Sequence, residues 1–262
     1  MRVTLLQLDL VWENPAANLA KVVSLCEQRQ LVPGELLVLP EMSNLAFSVA
    51  GAQSLTEPVD GPSVRGLQAL ATRWNVRFVA GLALLDPHGI PRNSSVLIGP
   101  EGILHRYNKL QPFSPSGELE AYPAGEEVTL TTLDGFLYSP FICYDLRFPE
   151  IFRTAASAGA VLFTVIASWP ELRSEHWRVL LRARAIENQA FVIGVNRAGT
   201  DPSFRYPGCS AVIDPWGKTI VELDDQEGVA SVDIRLEDAV GWREKFPALR
   251  DRRLDSPHLV TP

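Results

Sequence analysis

Residues 139–152 read SPFICYDLRFPEIF, and the character of the chain changes in the middle of them. Up to Ile142 the residues are apolar and strand-like: Phe136, Leu137, Phe141 and Ile142. After Cys143 come Asp145 and Arg147, and then Pro149, which suits the first turn of a helix. A thiol therefore stands at the corner between a buried strand and a helix. Cysteine is often just a small hydrophobe that closes a core strand. A sharp strand-to-helix turn is also how some hydrolases present a nucleophile. The cysteine alone does not choose between these readings.

Working outward, the same strand-then-helix unit recurs along the chain. VTLLQLDLVW (3–12) reads as a strand, and the following helix opens with Asn14 as N-cap and Pro15 at its first position. ELLVLPE (35–41) is a buried strand, and PSVRGLQALATRWN (62–75) is a helix ending near Asn75. VRFVAGLALLD and RNSSVLIGP are strands joined by the turn residues PHGIPR. The second half repeats the style. A strand leads into Cys143, PEIFRTAASAG is a helix and AVLFTVIAS a strand. A long helix over 174–189 then places Trp177, Leu180, Leu181, Ala185 and Ile186 on one stripe. AFVIGVNRAG and VASVDI are strands, and DPWGK (214–218) turns a hairpin between Val212–Ile213 and Ile220–Val221. Such alternation predicts an α/β protein with helices layered on sheets and internal pseudo-symmetry. Without a Pro/Gly/Ser linker between the halves, residues 1–262 read as a single domain, with a polar, proline-dotted tail from about 243 to 262 that frays or packs on a partner subunit.

Composition narrows the function classes. A chain of 262 residues with 46% hydrophobic and 21% charged side chains can bury a sizeable core. A net charge of −7 and no polybasic run argue against nucleic acid or an acidic membrane surface as partner. The start lacks the long apolar stretch and cleavage site of a secretory leader, and no run approaches a membrane span. Cys26, Cys143 and Cys209 are an odd, widely spaced set, and His88, His105, His176 and His258 do not pair at metal-ligand spacing. A cytoplasmic protein without structural metal or cofactor is expected.

A free thiol is mostly protonated at neutral pH and needs a helper. Histidine is the usual one, but none of the four lies in a supporting local pattern. Other polar residues close strand-like runs. Glu41 ends LLVLPE, and Lys109 follows GILHRYN. Taken singly, Glu41 suits a salt-bridged or capping carboxylate and Lys109 a solvated loop. Together with Cys143 they form three strand ends that a layered sheet can bring to one edge.

At this point the chain resembles the nitrilase, or carbon–nitrogen hydrolase, superfamily over essentially its whole length. LPEM (39–42), RYNKLQPF (106–113) and CYDLRFPE (143–150) occur in that family's order, supported by NSSVLI (93–98), ASWPELRSEHW (167–177), RARAIENQAFVIGVNRAG (182–199) and DPWGK. The long WP…R…HW…RARAIENQ stretch (169–189) looks most like the omega-amidase branch, whose members cleave the terminal amide of 2-oxo acids such as 2-oxoglutaramate and 2-oxosuccinamate. The resemblance implies a four-layer α-β-β-α sandwich that commonly pairs into homodimers or higher homo-oligomers. It makes Cys143 the nucleophile of a thioester mechanism, Glu41 its general base, and Lys109, with the backbone N–H of Tyr144, the stabiliser of the tetrahedral intermediate. It also assigns a second carboxylate to the loop after the lysine. Glu118 fits by its spacing to Gly125, with Glu120 as rival. One departure is Ala46, where the family often has glycine before the aromatic residue, here Phe47.

An omega-amidase must hold a short dicarboxylate monoamide by its charged end, and a planar guanidinium meets a carboxylate with two parallel hydrogen bonds. Arg147 and Arg173 are the candidates, with Phe47, Phe113, Tyr144 and Trp169 as an apolar wall; either arginine could instead bond Asp145, Glu150 or Glu171. The alternatives are a related hydrolase acting on N-carbamoyl compounds, nitriles or a modified peptide, and a catalytically silent dimeric module. The complete Glu41–Lys109–Cys143 set argues against the silent module.

Overall fold

The computed structural model describes residues 1–253. The first half supplies β1 (Arg2–Gln7), β2 (Leu36–Val38), β3 (Arg77–Leu85), β4 (Pro91–Gly99) and β5 (Gly102–Asn108), with helices α1 (Pro15–Glu27), α2 (Ala52–Leu55) and α3 (Pro62–Trp74) between them. The short α4 (Glu118–Ala121) leads to β6 (Thr131–Leu133), β7 (Phe136–Ile142), α5 (Pro149–Ser157), β8 (Leu162–Ala167), α6 (Ser174–Asn188) and β9 (Phe191–Asn196). A small pair, β10 (Ala198–Thr200) and β11 (Arg205–Pro207), is followed by β12 (Ala211–Ile213), β13 (Thr219–Glu222), β14 (Gly228–Asp233) and α7 (Leu236–Lys245).

Two six-stranded sheets result, ordered β14-β1-β2-β3-β4-β5 and β13-β12-β9-β8-β7-β6. Each has three parallel strands at its centre (β1, β2, β3 in one, β7, β8, β9 in the other) with antiparallel strands on both sides. This is the pseudo-two-fold repeat expected from the sequence. Alternation along the strands separates the layers, because successive side chains point to opposite faces. Val3, Leu5, Leu36, Val38 and Val79 join the second sheet's Tyr138, Ile142, Leu162 and Ile166 in one core, while Phe141 and Phe163 on the opposite face pack against Phe152 of α5. Their neighbours Leu6, Leu37, Phe78 and Ala80 pack instead with Val22 and Cys26 of α1 and Val64 and Leu67 of α3. Helices α5 and α6 cover the far side of the second sheet through Phe152, Trp177, Leu181 and Ala185. The molecule is thus an α-β-β-α sandwich.

Local signals explain most boundaries. Asn14 caps α1 by accepting from the Ala17 N–H at 3.0 Å, and Asn75 ends α3 in a left-handed conformation. DPWGK makes the expected hairpin, with Val212 opposite Val221. Four details differ from the sequence reading. The first strand stops at Gln7, whose side chain is held by Asp224 O, Gln226 O and the Ser210 N–H. Ile186 is 55% exposed and does not belong to the buried stripe of α6. β10 and β11 arise in a stretch without strand alternation. Helix α7 occupies the start of the supposed tail, where Arg243 donates to the carbonyls of Gln189, Ala160 and Asn188. The rest of the tail, 254–262, lies outside the described residues, as does His258. Among the described residues no helix is long and apolar enough to cross a membrane.

Candidate active site

The strand ends meet as the sequence suggested. Glu41 follows β2, Lys109 follows β5 and Cys143 follows β7, and in this strand order all three reach one edge of the sandwich. Gly81 on β3 makes room for the first of them: a Cβ there would lie 2.5 Å from Glu41 Cα and 2.5 Å from Pro40 O. Backbone against backbone leaves no way to yield, so only glycine admits the Glu41 turn. Gly125 does the same for the lysine strand. Its N–H donates to Lys109 O at 2.8 Å, and a Cβ would collide with Asn108 O.

Lys109 is buried between two carboxylates. Its Nζ lies 2.8 Å from Glu41 Oε1, and 3.0 and 2.8 Å from Glu118 Oε1 and Oε2. The Asn93 amide donates to both Glu41 Oε1 and Glu118 Oε1 at 2.7 Å. Ser168 N–H donates to Glu41 Oε2 at 2.8 Å, and Phe113 N–H to Glu118 Oε2 at 2.6 Å. The side chains of Glu41, Glu118 and Lys109 are almost fully dry, whereas Glu120 is exposed. Of the two rival carboxylates, Glu118 is therefore the one at the lysine. Burial opposes the lysine's charge, but Glu118 and Glu41 outweigh it, and the ammonium is held above its ordinary value.

Cys143 sits at φ +46°, a left-handed conformation that costs a side-chain-bearing residue about 1–2 kcal/mol. It begins a single 3₁₀ turn, Cys143–Arg147, so the corner read in the sequence is a strained one. Its Sγ lies 3.9 Å from Ser168 O. Burial and the charge of Glu41 push the thiol well above its ordinary range, with Lys109 pulling the other way. These surroundings favour the protonated thiol over a preformed thiolate. Among the described residues no histidine bonds the thiol: His105 bonds Thr129, and His176 bonds Arg147. Among the described residues no group of three or more His, Cys, Asp or Glu side chains is placed to hold a metal ion.

Beside the thiol is a small cavity of about 40 Å³ that opens to solvent. All six residues expected at the substrate line it: Phe47, Phe113, Tyr144, Arg147, Trp169 and Arg173. Arg147 stacks 4.8 Å from the Trp169 ring and donates to His176 Nδ1 at 3.3 Å; Arg173 lies 5.4 Å from the Phe113 ring. Among the described residues neither arginine is in an ion pair with Asp145, Glu150 or Glu171. Burial and the like charge of Arg173 lower the Arg147 pKa. Phe47, which lines the cavity, and the fully buried Ala46 before it have φ of +66° and +58°. Glycine at position 46 would meet this geometry without strain, and here the Ala46 carbonyl is held by buried Arg197 at 3.2 Å.

The sequence reading gave no role to Asn93, Ser168 or Tyr206. Asn93 looks like the polar start of a strand, yet it bridges both carboxylates. Ser168 and Tyr206 line the cavity.

A buried carboxylate–lysine–thiol group at the edge of an α-β-β-α sandwich, opening on a small aromatic cavity, defines a cysteine hydrolase of the nitrilase type. The chain belongs to the carbon–nitrogen hydrolase family, whose profile matches residues 2–244. It is 34% identical to the 2-oxoglutaramate amidase of Bacillus subtilis over 255 residues, covering 97% of this chain and 98% of that protein. It is 37% identical to the omega-amidase YafV of Escherichia coli over 257 residues, covering 96% of each. In structure it is similar to a carbon–nitrogen hydrolase superfamily protein of Xanthomonas campestris that carries an arsenic adduct in its active site. That comparison has a TM-score of 0.91, with 34% identity and 99% of both chains covered. Family membership makes the chain a hydrolase of non-peptide carbon–nitrogen bonds.

Proposed function

We propose that this protein hydrolyses the terminal amide of small dicarboxylate monoamides such as 2-oxoglutaramate or 2-oxosuccinamate, releasing ammonia through a thioester on Cys143. The observation that carries the substrate class is the pair Arg147 and Arg173. Two guanidinium groups face the cavity beside the thiol without a carboxylate partner among the described residues. Both are only partly buried and have no acid paired with them among the described residues, so each is free to meet a substrate carboxylate with two parallel hydrogen bonds. The names of the relatives, 2-oxoglutaramate amidase and omega-amidase, point to the same substrates.

In this reading Glu41 takes the Sγ proton as the sulfur attacks the amide carbon. The oxyanion forms against Lys109 Nζ and the Tyr144 backbone N–H, donors already in place before charge develops. Collapse breaks the C–N bond, and Glu41 returns the proton to the departing nitrogen, which leaves as ammonia. Water then attacks the thioester carbonyl with Glu41 again as base, releasing the acid and the thiol. Glu118 keeps Lys109 charged and aimed while Glu41 changes its protonation state. We further infer a cytoplasmic homo-oligomer, in keeping with three free cysteines and with Val179 and Ile186 exposed on α6.

A hydrolysis panel followed by ammonia release tests the reading. It contains short omega-amides with and without a free carboxylate, N-carbamoyl amino acids and nitriles. The charged amides should be turned over fastest, and replacing Arg147 or Arg173 by Met should raise KM for them selectively. Equal rates on charged and neutral amides would refute the arginine clamp. Turnover of carbamoyl compounds alone would reassign the substrate class.

A further inference from the structure

Asp145 is completely buried, yet the reaction scheme above does not use it. Its carboxylate accepts three hydrogen bonds. Oδ2 takes the Ile142 N–H at 2.9 Å and the Tyr107 hydroxyl at 2.7 Å, and Oδ1 takes the Gln111 N–H at 2.9 Å. Ile142 immediately precedes Cys143. Tyr107 and Gln111 stand two residues before and two residues after Lys109. The Tyr107 oxygen also accepts from the Leu110 N–H at 3.2 Å, so its one proton is committed to Asp145. One side chain thus fastens the end of β7 in the second sheet to the end of β5 in the first.

We propose that Asp145 is a positioning residue that locks the nucleophile turn to the lysine loop, so that Cys143 Sγ, the Tyr144 N–H and Lys109 Nζ keep one geometry across the two sheets. This rests on Cys143 as nucleophile and Lys109 as oxyanion partner. The turn needs such a fastening. Cys143 has a left-handed backbone, and the Ile142–Asp145 bond closes the turn that holds it there. The choice of a carboxylate points the same way. Burial pushes Asp145 up to about 7, against its three donors and the charge of Lys109, so the group is a costly one if packing were its purpose. An asparagine could accept on one side only and would turn an N–H₂ against a donor on the other. Displacing reacting groups by about 1 Å can cost about 100-fold in rate, so a joint of this kind is visible in turnover.

The test compares Asp145→Asn, Tyr107→Phe, the double variant, and a control, Tyr138→Phe. The control removes another buried hydroxyl bond, 2.7 Å to Thr164, from a residue outside the cavity lining. Melting temperature, kcat and KM are measured on an omega-amide. Asp145→Asn should lower kcat by about 30- to 100-fold with KM within about threefold, and Tyr107→Phe should lower kcat by about 5- to 10-fold. The double variant should be no slower than Asp145→Asn, because both changes cut the same joint. Tyr138→Phe should lower the melting temperature and leave kcat as it was. Overturning results are an Asp145→Asn variant that melts earlier but keeps kcat within twofold, or fully multiplicative losses in the double variant. If Asp145→Asn does not fold, equal kcat losses in Tyr107→Phe and Tyr138→Phe overturn the proposal, and a loss in Tyr107→Phe alone supports it. An active Cys143→Ala variant would instead remove the nucleophile assignment itself. Cys143→Ala inactive with Asp145→Asn at full kcat would remove only the positioning role.

Discussion

Replacing Glu118 by glutamine deletes one charge and almost no volume, and the contacts of this side chain fix what should follow. The carboxylate accepts from Lys109 through both oxygens, from Asn93 at Oε1 and from the Phe113 N–H at Oε2. Glutamine has one oxygen to offer. With that oxygen at the Oε1 position the Phe113 N–H is stranded in the interior against an N–H₂. With it at the Oε2 position Phe113 and Lys109 are served, and the N–H₂ faces the Asn93 amide. Asn93 can better tolerate this, since it still donates to Glu41. The second orientation should therefore win. Its cost is a donor facing a donor, about 1–3 kcal/mol, plus part of the about 3–5 kcal/mol of breaking a buried pair, softened because Glu41 still holds the lysine. A loss of about 3 kcal/mol in urea unfolding is expected, so Glu118→Gln should be foldable but clearly less stable. With Lys109 no longer held from both sides, kcat for ammonia release should fall by about 100-fold, the scale of a lost acid–base partner. Removing a negative charge that raises the Cys143 thiol should at the same time speed its alkylation at a given pH. Stability within 0.5 kcal/mol of wild type (about half the value of one hydrogen bond) together with kcat within twofold would refute the account, and a damaging Glu120→Gln would relocate the carboxylate.

Cys143→Ala and Cys143→Ser should abolish turnover, while Cys26→Ser and Cys209→Ser keep most of it; peptide mapping of an acyl adduct checks this. Because the Cys143 thiol is pushed above its ordinary range, its thiolate fraction at neutral pH is below that of a free cysteine, and iodoacetamide alkylation should still be climbing with pH at 9. A plateau below pH 8 would contradict that direction. Lys109→Ala should cost turnover about 100- to 1000-fold or more. It should also lower stability by about 3–5 kcal/mol, since Glu41 and Glu118 are left buried without their cation. Ala46→Gly should relieve about 1–2 kcal/mol of left-handed strain against about 0.4–1 kcal/mol of added unfolded-state entropy. An unfolding free energy no lower than wild type is expected, and a fall of more than about 1 kcal/mol would mean the strain is not there.

Glu41, Lys109 and Cys143 were legible because each interrupts or ends an apolar run, and strand ends on one edge of a layered sheet converge. Glu118 was legible only through its spacing to Gly125, and choosing it over Glu120 needed the fold: of two carboxylates two positions apart, one turns inward and the other faces water. Asn93 could not be read as a site residue, since its two acceptors lie 52 and 25 positions away and nothing local marks it. Helix α7 escaped because half of its ten residues are charged and Ala239 is the only one buried, and its place comes from Arg243 reaching carbonyls of other elements and Trp242 stacking on Trp216. Ile186 misled in the opposite sense: helical spacing predicts a stripe, but the stripe's width depends on the neighbours packed against it.

The pairing of β14 with β1 sets the timetable on which the molecule can be made. Arg2 lies opposite Asp233, and the Met1 ammonium donates to Ile234 O at 3.0 Å, across 233 positions of chain. A ribosome delivers β1 long before its outer neighbour β14. Throughout most of translation β1 offers a bare edge of N–H and C=O groups, the kind that recruits strands from other chains. Gln7 waits equally long for the carbonyls of Asp224 and Gln226. The sheet that carries Glu41 and Lys109 is therefore completed only as the last strand arrives. Nascent or prematurely terminated chains that end after Tyr206 but before Gly228 should be the aggregation-prone species of this protein, even though they already contain every member of the site.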